Sequence, residues 1–162
     1  MESKRYLTIS HRFHAPRERV FRMWTTAEFL QLWYSPRSCQ LQIHNYDFQV
    51  GGAFRTTILT PDGKGCHCAG HFDAIEAPAR IVYTMFFAGA NGEMVSPEAV
   101  GRGAEWPEKT VVTVTFDEEG GKTLLTLHQT LPEQLAKESG AYGGWEEMLE
   151  RLEEEIWANV RG

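Results

Sequence analysis

Cys66-His67-Cys68-Ala69-Gly70-His71 is the stretch in which side chains capable of chemistry crowd most closely. Thiolate and imidazole are ligands that zinc accepts, so metal binding is the first chemistry to weigh. The residues on either side alternate as a β-strand does. That sends Cys66 and Cys68 to one face and His67 and His71 to the other. One tetrahedral ion cannot be reached from both faces of a sheet, and only a bulge, of the kind Gly70 permits, would bring the ligands together. No metal centre is expected. The same parity turns Cys66, Cys68 and Phe72 toward the interior, where free cysteines behave as small apolar groups, and turns both histidines outward. His128 takes the parity opposite to Leu125, Leu127 and Gln129, which places it on the outer face. Gln129 faces inward. An amide there either orients a ligand or bonds to neighbouring backbone. The chain has no Gly-x-Ser-x-Gly elbow, phosphate loop, Gly-x-Gly-x-x-Gly turn or His-Glu-x-x-His. No Ser/His/Asp or Cys/His arrangement stands out by spacing. No catalytic residue and no cofactor are assigned.

The elements that must position these residues are legible in the spacing of apolar side chains. From Gly143 to Val160, Trp145, Met148, Leu149, Leu152, Ile156 and Val160 recur every three or four residues, with glutamates opposite them. This predicts one long amphipathic helix. Leu7, Ile9 and Phe13 mark a first strand. Pro16 opens a helix carrying Val20, Phe21 and Trp24. Thr25 or Thr26 caps a second helix with Phe29, Leu30, Leu32 and Trp33. Strands follow over Cys39 to Ile43, Phe54 to Ile58, Cys66 to Ile75, Arg80 to Phe87, Thr110 to Phe116 and Thr123 to Leu131. Turns at Gly51-Gly52, Pro61-Asp62-Gly63 and Glu119-Gly120-Gly121 separate some of them. Ala88 to Glu108 reads as a loop of about twenty residues, and a loop of that length in a compact domain is a lid, a binding element or disorder. Pro132 starts a short helical turn that ends near Gly140. The expected architecture is α+β, with the long helix packed across one antiparallel sheet and one domain spanning residues 1–162. The inward strand residues, from Leu41 and Ile43 through Tyr83, Met85, Val112 and Leu127, are almost wholly apolar.

Composition narrows the function classes. The net charge of −6 and pI near 5.5 disfavour a nucleic-acid partner and an anionic membrane surface. No apolar run approaches the ~20 residues of a membrane span, and no signal-peptide pattern follows Met1. The three cysteines form no disulfide framework. The expected location is the reducing cytoplasm. Glu146, Glu147, Glu150, Glu153, Glu154 and Glu155 read as a solvated helix face.

Several strings in sequence order resemble the START-like (SRPBCC) superfamily, and within it the family named after the activator of the heat-shock chaperone ATPase. They include Phe13-His14-Ala15-Pro16 through Phe21, Trp24-Thr25-Thr26-Ala27-Glu28-Phe29-Leu30, Leu32-Trp33-Tyr34-Ser35-Pro36 and Gly51-Gly52-Ala53-Phe54. Pro61-Asp62-Gly63, Val112 to Phe116 and Gly143-Gly144-Trp145 continue the match, which runs from about Tyr6 to Trp157. The family often has a second tryptophan where this chain has Tyr34, which either adds a hydroxyl capable of acid/base chemistry or simply points it to water. The resemblance implies a helix-grip fold with an apolar cavity between sheet and helix. It also implies binding of a hydrophobic or aromatic small molecule there, with Trp24, Trp33, Phe54, Phe72, Tyr83, Met85, Trp145, Met148 and Leu149 as wall and Gln129 and Tyr83 as polar contacts. A chaperone-activating or other protein-interaction role is the second reading. A cyclase- or hydrolase-type enzyme using the same cavity is the third. Monomer and homodimer both remain open.

Overall fold

The protein is described by a computed structural model covering residues 5–161, with side chains over 5–158. Seven strands form one antiparallel sheet: β1 (Tyr6–Phe13), β2 (Gln40–Tyr46), β3 (Ala53–Leu59), β4 (Gly65–Glu76), β5 (Arg80–Phe87), β6 (Thr110–Glu119) and β7 (Lys122–Pro132). Their order across the sheet is β1-β7-β6-β5-β4-β3-β2. Consecutive strands from β2 to β7 are joined as neighbours. β1 instead pairs with β7, so the chain must cross from one edge to the other before β2. Helices α1 (Arg17–Thr25) and α2 (Ala27–Trp33) make that crossing. They bury Val20, Phe21, Met23, Trp24, Leu30 and Trp33 beneath them. Leu32 stays exposed. No side chain caps either helix; Thr26 precedes α2, and its hydroxyl does not cap it.

After β7, α3 (Glu133–Ser139) ends on Gly140, which has φ +89°. Glycine takes this left-handed conformation without a steric penalty, and it redirects the chain into α4 (Ala141–Arg161). Trp145, Met148, Leu149, Leu152 and Ile156 are the buried stripe of α4. Each such side chain contributes roughly 1.5–3 kcal/mol by leaving water. The expected stripe also included Val160, which lies outside the described side chains. β6 and β7 meet the helix with alternating buried residues: Val112 opposite Gln129, Val114 opposite Leu127 and Phe116 opposite Leu125. This is the α+β helix-grip architecture expected from the sequence. No helix among the described residues is long and apolar enough to cross a membrane.

Polar contacts fix how α4 lies over α2. The Arg151 guanidinium donates to the Leu32 carbonyl at 2.7 Å, the Ser35 carbonyl at 2.6 Å and the Ser35 hydroxyl at 2.9 Å. It therefore satisfies carbonyls that the end of α2 leaves without intrahelical partners. Arg37 pairs with Glu154 at 2.6 Å, and His11 and His14 lie 3.5 and 3.4 Å from Glu153. Part of the acidic helix face thus packs on the chain's own basic side chains. The segment after β5 is also more ordered than a bare loop. Ala88 bridges to Met94, Pro97–Val100 forms a 3-10 turn, and Trp106 is buried.

Candidate functional site

Two adjoining hollows lie between the sheet and the helices. The inner one lies under α1 and α2 and has a volume of about 70 Å³. Trp24, Tyr46, Phe48, Phe54, Phe72 and Tyr83 are among its walls. The outer hollow, about 300 Å³, is walled by residues of β3 to β7, the first turns of α4 and the segment from Arg102 to Glu108. Tyr34, Ile58, Cys68 and Met85 belong to both walls.

Inward-facing strand positions set this lining. Phe54, Phe72 and Tyr83 come from β3, β4 and β5 and pack as a cluster, with ring centroids 5.4 to 6.2 Å apart. Gly70 makes the cluster possible: a Cβ there would sit 2.6 Å from the Phe54 ring and 1.9 Å from the Thr84 carbonyl oxygen. Trp24 stacks on Trp145 with centroids 6.3 Å apart, joining α1 to α4 above the hollows.

Of the ten residues expected at the site, Trp24, Phe54, Phe72, Tyr83 and Met85 line the inner hollow, and Met85, Gln129, Trp145 and Met148 line the outer one. Trp33 and Leu149 do not line either. Trp33 is wholly buried and donates its indole N–H to the Met23 carbonyl at 3.0 Å, and Leu149 sits in the core under α4. Their spacing matches that of the wall residues, because core and cavity share one helix face.

The polar groups are few. Of the two readings of Tyr34, the one toward water does not hold: its hydroxyl is 2.8 Å from that of Tyr83, inside the protein. Burial pushes both phenols well above the ordinary tyrosine range, so both stay neutral at any physiological pH. Tyr46, raised by burial as well, donates to the Thr25 carbonyl at 2.6 Å. Gln129 is held by side chains rather than by backbone. Its Oε1 accepts from Trp145 Nε1 at 2.9 Å, and its Nε2 donates to Thr110 Oγ1 at 3.0 Å.

Cys66 and Cys68 face the hollows, as their strand parity implies. Their thiols interact: hydrogen bonding from Cys68 draws the Cys66 thiol down to about 7, with help from the Arg102 charge, while Cys68 is pushed up. His67 points the other way and shares the Thr57 hydroxyl with His44, at 2.7 and 2.8 Å. His71 pairs with Asp73 at 3.2 Å. The bulge in β4 falls between Phe72 and Ala74, past this motif. Cysteines and histidines therefore stay on opposite faces. No group of three or more metal-ligating side chains comes together among the described residues.

Sequence reasoning did not reach Phe48, Arg102 or Trp106. Trp106 carries a usable signal, as the one large aromatic in a segment of glycine, proline and small polar residues. The remaining two stand in irregular backbone, where no periodicity assigns a face.

Residues 14–156 match the family model described as Activator of Hsp90 ATPase homolog 1-like protein. The chain belongs to this family. No curated protein matches it. Among solved structures, an Arthrobacter aurescens protein studied by NMR is 25% identical, with 90% of this chain and 82% of that chain covered and a TM-score of 0.76. A Nitrosomonas europaea protein is 19% identical over the whole of both chains, with a TM-score of 0.77. A Silicibacter pomeroyi protein named AHSA1 is 18% identical, covering 96% of this chain and 99% of its own, with a TM-score of 0.74. The last two likenesses concern the fold. Within the Activator of Hsp90 ATPase homolog 1-like family, then, this member has two adjoining hollows lined mainly by apolar and aromatic side chains, with the Tyr34–Tyr83 pair at the inner one.

Proposed function

We propose that the protein binds a hydrophobic or aromatic small molecule between the sheet and α4. The observation that carries the reading is the outer hollow, about 300 Å³ and walled mainly by apolar side chains. That is the size at which ligand sites begin. Met85, Trp145 and Met148 would hold the body of the ligand, and Trp24, Phe54 and Phe72 its inner end. Aromatic and methionine side chains suit this role through large, adaptable contact area. The Tyr34–Tyr83 pair is the better polar contact for a ligand oxygen, because both ends of the Gln129 amide are already taken. Trp33 and Leu149 would support the wall from behind.

Native mass spectrometry of freshly purified protein, set against its denatured mass, tests this. A reproducible excess mass lost on denaturation supports the reading and identifies the molecule. A clean mass that also stays unchanged on titration with a panel of aromatic and lipidic compounds contradicts it. A partner role, as a chaperone activator or otherwise, is the second reading, favoured by the family description. It predicts recovery of a specific chaperone from lysate, lost when α4 surface glutamates are replaced.

A further inference from the structure

All three cysteines of the chain line the outer hollow, although they come from two separate segments. Cys66 and Cys68 sit two apart on β4 and share a face, with Cys68 deeper and Cys66 nearer the opening. Arg102 lines the same opening. Its guanidinium lies 4.8 Å from the Trp106 ring centroid and 5.6 Å from that of Phe87, so aromatic faces hold it in place. No carboxylate pairs with it among the described residues. The site thus combines a soft nucleophile, a neighbouring thiol, and a positive charge held by aromatic rings rather than by a carboxylate. The surrounding wall of Met85, Trp145 and Met148 is apolar.

We propose that Cys66 is a nucleophilic thiol of the cavity that captures hydrophobic electrophiles of the α,β-unsaturated carbonyl class by conjugate addition. This rests on the cavity admitting small molecules, as proposed above. The Cys66 thiolate forms a C–S bond to the β-carbon, and the π pair moves onto the carbonyl oxygen. A proton from water then reaches the α-carbon, replacing the one that Cys66 released, so thiol and acceptor combine with no atom lost. Arg102 faces negative charge at both stages, on sulfur before addition and on the enolate oxygen after it. Soft sulfur and a conjugated π system are well matched, and only the thiolate reacts at a useful rate. The charged or titratable groups that share this hollow with Cys66 are Cys68 on β4, Arg102 and Glu108 on the segment before β6, Cys39 before β2 and Tyr34 after α2. Glu108 opposes the thiolate.

The test uses benzylideneacetone, an aromatic enone, and acrylamide, a small hydrophilic acceptor. Adducts are followed by intact mass and peptide mapping. A thiol drawn from 9.0 to about 7 gains thiolate at neutral pH but loses some nucleophilicity, for a net gain of roughly fivefold. The expected result is one enone adduct at Cys66, formed about fivefold or more faster than in the urea-unfolded chain. Its pH–rate midpoint should lie near 7 and move upward in Arg102→Gln. Preference for the enone over acrylamide should exceed that of glutathione. Cys66→Ser should abolish the adduct and Cys39→Ser should keep it. First labelling at Cys39 or Cys68, a rate equal to the unfolded chain, or no enone preference would each overturn the proposal. Binding of 4-phenyl-2-butanone, the saturated analogue, is followed in parallel by tryptophan fluorescence. If it binds while Cys66 stays slow, the thiol proposal falls and the binding reading stands. If neither occurs, both fall.

Discussion

Both ends of the Gln129 amide are engaged inside the protein, by Trp145 and Thr110, and all three residues are buried. Gln129→Leu keeps the volume but leaves an indole N–H and a hydroxyl without partners. Stranded buried groups of this kind cost about 1–3 kcal/mol each, so a loss of about 2 kcal/mol or more is expected in urea denaturation. A loss below about 0.5 kcal/mol would mean that the amide does not hold Trp145 in this way. Residue-scale reading from sequence was uneven, for a physical reason. Strand parity correctly turned Gln129, Cys66 and Cys68 inward and His67 outward, because period two is enforced by the pleat. Tyr34 stands just after α2, where backbone is irregular and no period applies. Its hydroxyl meets Tyr83 on a strand 49 residues later, a pairing only the fold creates.

At the scale of elements, the segment from Ala88 to Glu108 is anchored chiefly by Trp106, which packs on Phe87 at 5.8 Å beneath Arg102. Trp106→Ala removes that anchor without touching the strands. Hydrogen exchange should then speed up across the 3-10 turn at Pro97–Val100 by tenfold or more, since local opening is governed by local contacts. Amides of β6 and β7 should keep their protection. Equal acceleration everywhere would place Trp106 in the global core instead. The elements themselves were legible from sequence almost throughout. The α4 stripe and the β6–β7 alternation are strong, uninterrupted periods. What stayed hidden was how elements lock together. Arg151 reads as one more polar residue on the solvent side of a helix, yet its guanidinium closes the end of α2.

Two features belong to the whole molecule. The first is a response to alkali. Tyr34 and Tyr83 hold their protons more tightly when folded because burial disfavours the phenolate. Their contribution is fully present below the unfolded tyrosine pKa of about 10 and is lost as pH rises beyond it, by up to ~1.4 kcal/mol per pH unit for each. Urea midpoints measured from pH 8 to 11 should fall above pH 10, and the fall should be shallower in Tyr83→Phe. An unchanged slope would show that Tyr83 ionises freely in the folded state. The second is the cavity, which the sequence implied only through family resemblance. An inward face rich in apolar residues describes a packed core and a hollow one equally well.

Gly144 provides the most direct test of that hollow. It lines the outer part from within α4, and a Cβ there meets only Pro36, at an ordinary 3.7 Å. Gly143, its neighbour, is exposed and faces open space. Replacing either glycine in a helix interior should favour the helix by up to about 1 kcal/mol. The decisive measurement is titration of Gly144→Leu with an apolar fluorescent probe, 1-anilinonaphthalene-8-sulfonate, beside the parent protein and Gly143→Leu. The account predicts that Gly144→Leu remains at least as stable as the parent but loses probe binding about tenfold or more, while Gly143→Leu binds as the parent does. Undiminished binding in a stable Gly144→Leu protein would contradict a ligand site between the sheet and α4.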